Sequence, residues 1–154
     1  MDISLLLAFT AKISRVYDAA IQPVLAEFGI SRTSFDILTF LAHHPEHYTA
    51  KEISAMCSIK PNVVSLHVDR LVNAGYLERQ SVSGDRRKIR LVCTGQVSPI
   101  LERSRQVRCP FFARLMDGLT EQELETFKHC FQTIDKNADS LLCGAAAAGR
   151  AQEC

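Results

Sequence analysis

The sequence predicts a mainly α protein with one small β-hairpin, and three observations carry that prediction. Apolar residues recur at three- and four-residue spacing over most of the 154 residues, in stripes bounded by recognisable caps. Between Thr49 and Val92, two short helices in tandem lead into a two-stranded hairpin with a basic tip. Lys60 to Arg90 also holds seven Lys or Arg against three acids, a surplus of four, in a chain whose net charge is +1. The remainder is therefore net acidic, and the basic segment has the electrostatic footprint of a phosphate-contacting surface.

Ile3 to Phe28 reads as a long helix ended by Gly29, with Leu6, Phe9, Ile13, Val16, Ala20, Val24 and Phe28 on or near one stripe. Pro23 is expected to kink it. Ser31 caps a second helix through about Ala42; apolar over a wide arc, with Phe35, Leu38 and Leu41 on one side and Ile37 and Phe40 near the other, it belongs in the middle of the molecule. Thr49-Ala-Lys-Glu52 has the spacing of a capping box, so a short helix starts there and stops near Ser58. Pro61 suits a first helical position, and the next helix runs to about Ala74, with Gly75 as its stop. Val64, Val68, Leu71 and Val72 face inward on it, leaving Asn62, Ser65, Leu66, Asp69 and Asn73 outward. Small hydrogen-bonding side chains of that kind suit a helix reading base edges in a major groove, although an ordinary surface helix has the same pattern.

Tyr76 to Gln80 and Lys88 to Val92 alternate as strands around a turn-rich tip, Ser81-Val-Ser-Gly-Asp-Arg-Arg87. A helix from about Pro99 to Asp117 follows, which Pro110 is expected to bend or split. Thr120-Glu-Gln-Glu123 is a second capping box, opening a last helix whose stripe is Leu124, Phe127, Cys130, Phe131, Ile134, Ala138 and Leu141. Residues 144–154 are small and polar and read as a flexible tail.

In these residues the chain resembles the MarR (multiple antibiotic resistance regulator) family of winged helix-turn-helix regulators. The resemblance is carried by Phe35-Asp-Ile-Leu-Thr-Phe-Leu41, Thr49-Ala-Lys-Glu-Ile-Ser54, Val64-Ser-Leu-His-Val-Asp-Arg-Leu71, Asn73-Ala-Gly-Tyr-Leu77 and, most specifically, Gly84-Asp-Arg-Arg-Lys88. It implies a winged helix-turn-helix lobe over 31–95 and a helical dimerisation region made of 1–30 and 96–143. It also implies a homodimer that joins through its N- and C-terminal helices and binds a pseudo-palindromic operator in double-stranded DNA. The expected function is a sequence-specific transcriptional regulator, a repressor relieved by a small aromatic or phenolic ligand. The alternatives are a thiol-based redox-sensing regulator and a dimeric scaffold without DNA binding. One departure is local: where the family has Leu-Thr, two residues and Gly, this chain has Val92-Cys-Thr-Gly-Gln96.

The implied DNA contacts are Arg87, then Arg86, in the minor groove, with Asp85 orienting them. Lys60, Asn62 and Ser65 are implied on the recognition helix, Arg70 and Lys88 on phosphates, and Leu66 against a thymine methyl. A ligand cleft would draw on Tyr17, Phe40, His43 and His67; His67 stands where relatives carry an aliphatic residue and reads equally as a hydrogen-bonded packing residue. Six cysteines (57, 93, 109, 130, 143, 154) are scattered without a C-x-x-C pair, which reads as free thiols. Cys109, beside Arg108 and one turn from Arg105, is the candidate redox residue. His43, His44, Glu46 and His47 are metal-capable, but Pro45 interrupts their spacing, and neither a metal nor a cofactor is expected. There is no glycine-rich phosphate loop, G-x-S-x-G elbow, H-E-x-x-H or paired-carboxylate pattern, so no enzyme class is indicated. Nor is there an apolar run of 18 residues for a membrane span, and Met1-Asp-Ile-Ser-Leu5 lacks a signal peptide's basic start, so a cytoplasmic location is expected.

Overall fold

The computed structural model describes residues 2–46, 48–82 and 85–150, with the side chains of 85–88 and 143–150 outside that description. The chain divides into two compact units between Phe111 and Phe112. The order of elements is α1 (Ile3–Phe28), α2 (Arg32–His43), α3 (Ala50–Met56), α4 (Pro61–Asn73), β1 (Leu77–Val82), β2 (Asp85–Cys93), a 3-10 turn over Gly95–Val97, α5 (Ser98–Leu115) and α6 (Glu121–Arg150).

Local chemistry sets most of these boundaries. Gly29, at φ 61°, ends α1 in the left-handed region. The Ser31 hydroxyl accepts from the Ser34 amide to start α2. Thr49 and Glu52 make both bonds of the capping box that opens α3. Ser58 turns the chain at φ 53°, and Pro61 stands at the first position of α4. The end of α4 is closed by Gly75 N–H to Val72 O at 3.0 Å and Tyr76 N–H to Leu71 O at 2.9 Å, the paired bonds of a Schellman motif. Thr120 and Glu123 reproduce the capping box at α6.

The core of the first unit is built around α2, whose Phe35, Ile37, Leu38 and Leu41 are all buried. Ile21 and Val24 come to it from α1, Ile53 from α3, Val64, Val68 and Leu71 from α4, Leu77 and Leu91 from the hairpin, and Ile100 from α5. Each of these large side chains contributes about 1.5–3 kcal/mol by leaving water, so the core orients the helices firmly. β1 and β2 are antiparallel, with Leu77 opposite Cys93, Arg79 opposite Leu91 and Ser81 opposite Ile89 before the register breaks at Val82.

Several expectations need correction. Pro110 lies inside a continuous α5, which it does not split, and Pro23 lies inside a continuous α1. The strands reach Val82 and Asp85, well into the stretch expected to be the tip, while Tyr76 is taken up by the end of α4 and leaves β1 to begin at Leu77. α6 continues to Arg150, through the stretch expected as a tail, because Ala145 to Ala148 are strong helix formers; residues 151–154 lie outside the description. The α1 stripe is only half covered: Ile21, Val24 and Leu25 are buried, whereas Phe9 and Val16 are about half exposed.

Candidate nucleic-acid interface

Pro61 pre-sets the first turn of α4, and burial of Val64, Val68 and Leu71 fixes which face of that helix looks out. Lys60, Asn62, Ser65, Leu66 and Arg70 are all exposed, so five of the expected DNA contacts share one open surface. Lys60 occupies the cap position in extended backbone, with no side-chain bond to the helix. Ser65 Oγ donates to Pro61 O at 3.1 Å, which occupies its hydrogen but leaves oxygen lone pairs for a base or phosphate donor. Asp69, the acid on this face, is paired with Arg79 of β1, which ties α4 to the hairpin and offsets its charge.

Asp85, Arg86, Arg87 and Lys88 form the first half of β2 by backbone; their side chains lie outside the described residues. Arg90, on the same strand, was not singled out from sequence. Its guanidinium sits 5.1 Å from the centroid of the Tyr48 ring and its Nη2 donates to Pro45 O at 3.5 Å. Leu91 N–H donates to Tyr48 O at 3.0 Å, so the loop before α3 runs along the outer side of β2 and holds the hairpin against the tandem helices.

His67, at the inner rim of α4, faces the start of α2: its Nδ1 lies 2.9 Å from Ser34 Oγ and 3.4 Å from Ser31 Oγ. Burial, and then the Arg70 charge, hold its pKa below the usual imidazole value.

Tyr17 stands in a different cluster. Its ring lies 5.5 Å from that of Phe111 and 5.0 Å from the Arg32 guanidinium. Arg32 Nε binds both oxygens of Asp36, at 2.8 and 2.9 Å, and its Nη1 pairs with Asp18, joining α1 to α2. Burial raises the pKa of the Tyr17 phenol, and it also raises that of Asp36 in spite of the Arg32 contact. Arg32, Asp36, Phe40 and His43 follow at i, i+4, i+8 and i+11 and so share a side of α2. Phe40 packs on the His44 ring at 5.0 Å, and His43 Nδ1 donates to Thr39 O at 2.6 Å, within its own helix. The expected ligand residues thus occupy separate surroundings, with His67 apart from the Tyr17 cluster. Of the cluster's charged members, the i, i+4 pair Arg32 and Asp36 was visible in sequence; Asp18, fourteen residues from Arg32, was not.

Among the cysteines, Cys109 and Cys130 are exposed. Arg105, expected near Cys109, binds Glu102 at 2.9 and 3.1 Å while its charge also acts with Cys109. Burial raises the pKa of Cys57, with Asp36 adding to it, and pushes Cys93 to about 11, so both stay protonated. Cys143 and Cys154 lie outside the described side chains. Among the described residues no group of three or more His, Cys, Asp or Glu is placed to hold a metal; His47 lies outside them. No described helix is long and apolar enough to cross a membrane.

A family model described as "MarR family" matches residues 28–88, the segment that contains α2, α3, α4 and the start of the wing. The HTH-type transcriptional regulator PecS of Dickeya dadantii is 26% identical over 135 residues, covering 86% of this chain and 81% of that protein. Over that segment, and over most of its length, the chain is similar to MarR-family transcriptional regulators. Solved structures agree on the fold. Apo MarR from E. coli superimposes with a TM-score of 0.64 at 20% identity, over 87% of this chain and 97% of that one. A MarR transcriptional regulator from Methanosarcina mazei Go1 reaches 0.75 at 16% identity, over 90% and 99%. CouR from Rhodococcus jostii RHA1, solved with p-coumaroyl-CoA bound, reaches 0.68 at 19% identity, over 86% and 91%. These share the winged helix-turn-helix fold with this chain.

Proposed function

We propose that this chain is a MarR-family transcriptional regulator, a repressor that acts in the cytoplasm as a homodimer on a pseudo-palindromic operator, with α4 in the major groove and the wing against the minor groove. The observation that carries the reading is the outward face of α4. Lys60, Asn62, Ser65, Leu66 and Arg70 are exposed together, next to a strand that begins Asp85-Arg-Arg-Lys88. Arg87, then Arg86, is the minor-groove residue, with Asp85 orienting them, and Arg70 and Lys88 meet phosphates.

The dimer reading rests on uncovered apolar surface. On α6, Phe127, Phe131, Ile134 and Leu141 are 47%, 61%, 57% and 75% exposed, and Phe9 and Val16 on α1 are half exposed. Such stripes are covered by a second copy, with 1–30 and 96–143 as the dimerisation region and 31–95 as the DNA-binding lobe. Two-fold symmetry then sets the recognition helices roughly 34–36 Å apart, or a multiple of that. The inducer is a small aromatic or phenolic compound, received at Tyr17, where an aromatic pair and a guanidinium meet between α1 and α2. Phe40 and His43 continue along the same side of α2. The thiol-sensing alternative is not preferred, since Arg105, one of the two arginines near Cys109, is paired with Glu102.

Arg87→Ala tests the wing. Operator affinity is expected to fall by about 1–3 kcal/mol and the salt slope of log K by about one unit, the signature of a lost contact to DNA. Unchanged affinity and slope would remove Arg87 from the interface. A chain that binds no duplex with a salt-dependent constant would instead be a scaffold.

A further inference from the structure

We infer that His67 is a positioning residue of the recognition helix: in its neutral form it accepts a hydrogen bond from Ser34 and so ties α4 to the N-terminus of α2. The inference rests on the reading of α4 as the DNA-contacting helix and adds to it a pH dependence.

Each hydrogen bond is assigned the direction that gives every hydroxyl hydrogen an acceptor. Ser31 Oγ accepts from Ser34 N–H at 3.1 Å, as the cap of α2, and donates its own hydrogen to Ser34 Oγ, also at 3.1 Å. Ser34 Oγ is left to donate to His67 Nδ1, 2.9 Å away. In this assignment the ring nitrogen is an unprotonated acceptor, with the hydrogen on Nε2. Ser34 is buried, so its hydroxyl has no water to turn to.

Protonation reverses the last link. An imidazolium Nδ1–H can only donate, which forces the Ser34 hydrogen away from the ring and disturbs the relay that caps α2. The surroundings oppose the charge as well. From α4 itself Arg70 faces the ring, and from α2 come the two serine hydroxyls and the positive end of the helix. Arg32, the charged residue in that first turn, is turned to Asp18 and Asp36. Of the other elements packed on α4, α3 brings Lys51 and Glu52, the latter closing its capping box. β1 brings Glu78 and Arg79, the latter on Asp69. Among the described residues, Arg70 is the charge that acts on the ring, and no carboxylate offsets it. A group whose folded pKa is depressed contributes fully above its unfolded value, here 6.5, and loses that contribution as pH falls below it.

The sign of the effect separates this role from a trivial one. A histidine that merely added a cation near DNA would tighten binding in acid, whereas loss of the tie loosens it. The test is operator affinity between pH 8 and pH 5 at fixed ionic strength for wild type, His67→Asn, His67→Leu and Ser34→Ala. Asn places a non-titrating oxygen near the position of Nδ1. Wild type is expected to weaken about tenfold in acid, the scale of one net hydrogen bond. His67→Asn should keep near-wild-type affinity at pH 8 with a flat profile. His67→Leu and Ser34→Ala should be weak throughout, and the double variant no weaker than either. In the free protein, the His67 nitrogen shifts should report the Nε2–H tautomer and a pKa below 6.5.

Parallel profiles for wild type and His67→Asn would overturn the inference while leaving the DNA-binding reading intact. So would wild-type affinity in Ser34→Ala, or an Nδ1–H tautomer. Failure of wild type to bind any duplex at pH 8 would overturn both.

Discussion

Gly75 joins the recognition helix to the wing, and its substitution can be worked through term by term. Gly75 stands at φ 79°, where a Cβ would lie 3.1 Å from Gln96 Nε2 and 3.3 Å from Gln96 Oε1. Gly29 is a natural control, being left-handed at φ 61° but with nothing within 4 Å of the added Cβ. An alanine in the left-handed region costs about 1–2 kcal/mol. The stiffer unfolded chain returns about 0.4–1 kcal/mol, so Gly29→Ala should destabilise by roughly 0.5–1 kcal/mol. Gly75→Ala carries the same term plus displacement of the Gln96 amide. That amide is the far end of an exposed, flexible side chain and gives way by a few tenths of an ångström, forfeiting a few contacts of about 0.1–0.2 kcal/mol each. Gly75→Ala should therefore cost a few tenths more than Gly29→Ala, and Gly75→Ala with Gln96→Ala should return to the Gly29→Ala level. Urea titration at unchanged m-value is the assay, with about 2–4 °C per kcal/mol expected in thermal melts. A Gly29→Ala cost larger than that of Gly75→Ala, or no rescue by Gln96→Ala, would refute the reasoning.

Other consequences follow from the same geometry. Phe131→Asp on α6 places a charge in the exposed apolar stripe and should shift the molecular mass in solution from dimer to monomer by sedimentation, with operator affinity falling in parallel; an unaltered dimer would remove α6 from the interface. Alkylation at pH 8, mapped by mass spectrometry, should modify the exposed Cys109 well before Cys93, because burial pushes the Cys93 thiol up to about 11 and its sulfur donates to Leu38 O at 3.8 Å. Arg90→Ala should loosen the hairpin and weaken operator binding, while Tyr48→Phe, which keeps the aromatic face under the guanidinium, should leave binding close to wild type.

What was legible in the sequence was what short-range chemistry decides. Ser31, Gly29, Thr49 with Glu52, and Thr120 with Glu123 act within four residues, and each cap stands where its spacing puts it. The burial of α2 and the inward stripe of α4 were legible for the same reason, since helical periodicity alone selects those faces. The contacts that position the candidate interface were not, because they join residues far apart in the chain. Ser34 meets His67 across 33 residues, and Arg90 reaches Pro45 across 45. Neither pair has a spacing rule to announce it. The strands run past the expected ends because pairing between β1 and β2 carries them through Ser81 and Asp85, which by themselves favour turns. The outer stripes of α1 and α6 were read correctly as apolar, but one chain does not supply the surface that covers them.

The measurement that bears most directly on the central claim is selection of bound duplexes from a random DNA pool at physiological salt, followed by sequencing. A symmetric reader built from this fold should enrich one inverted repeat with half-sites about one helical turn, or a multiple of it, apart. Loss of that enrichment is expected in Arg87→Ala at the minor-groove positions. Recovery of no motif, with only weak salt-sensitive retention of any duplex, would contradict a sequence-specific operator-binding dimer.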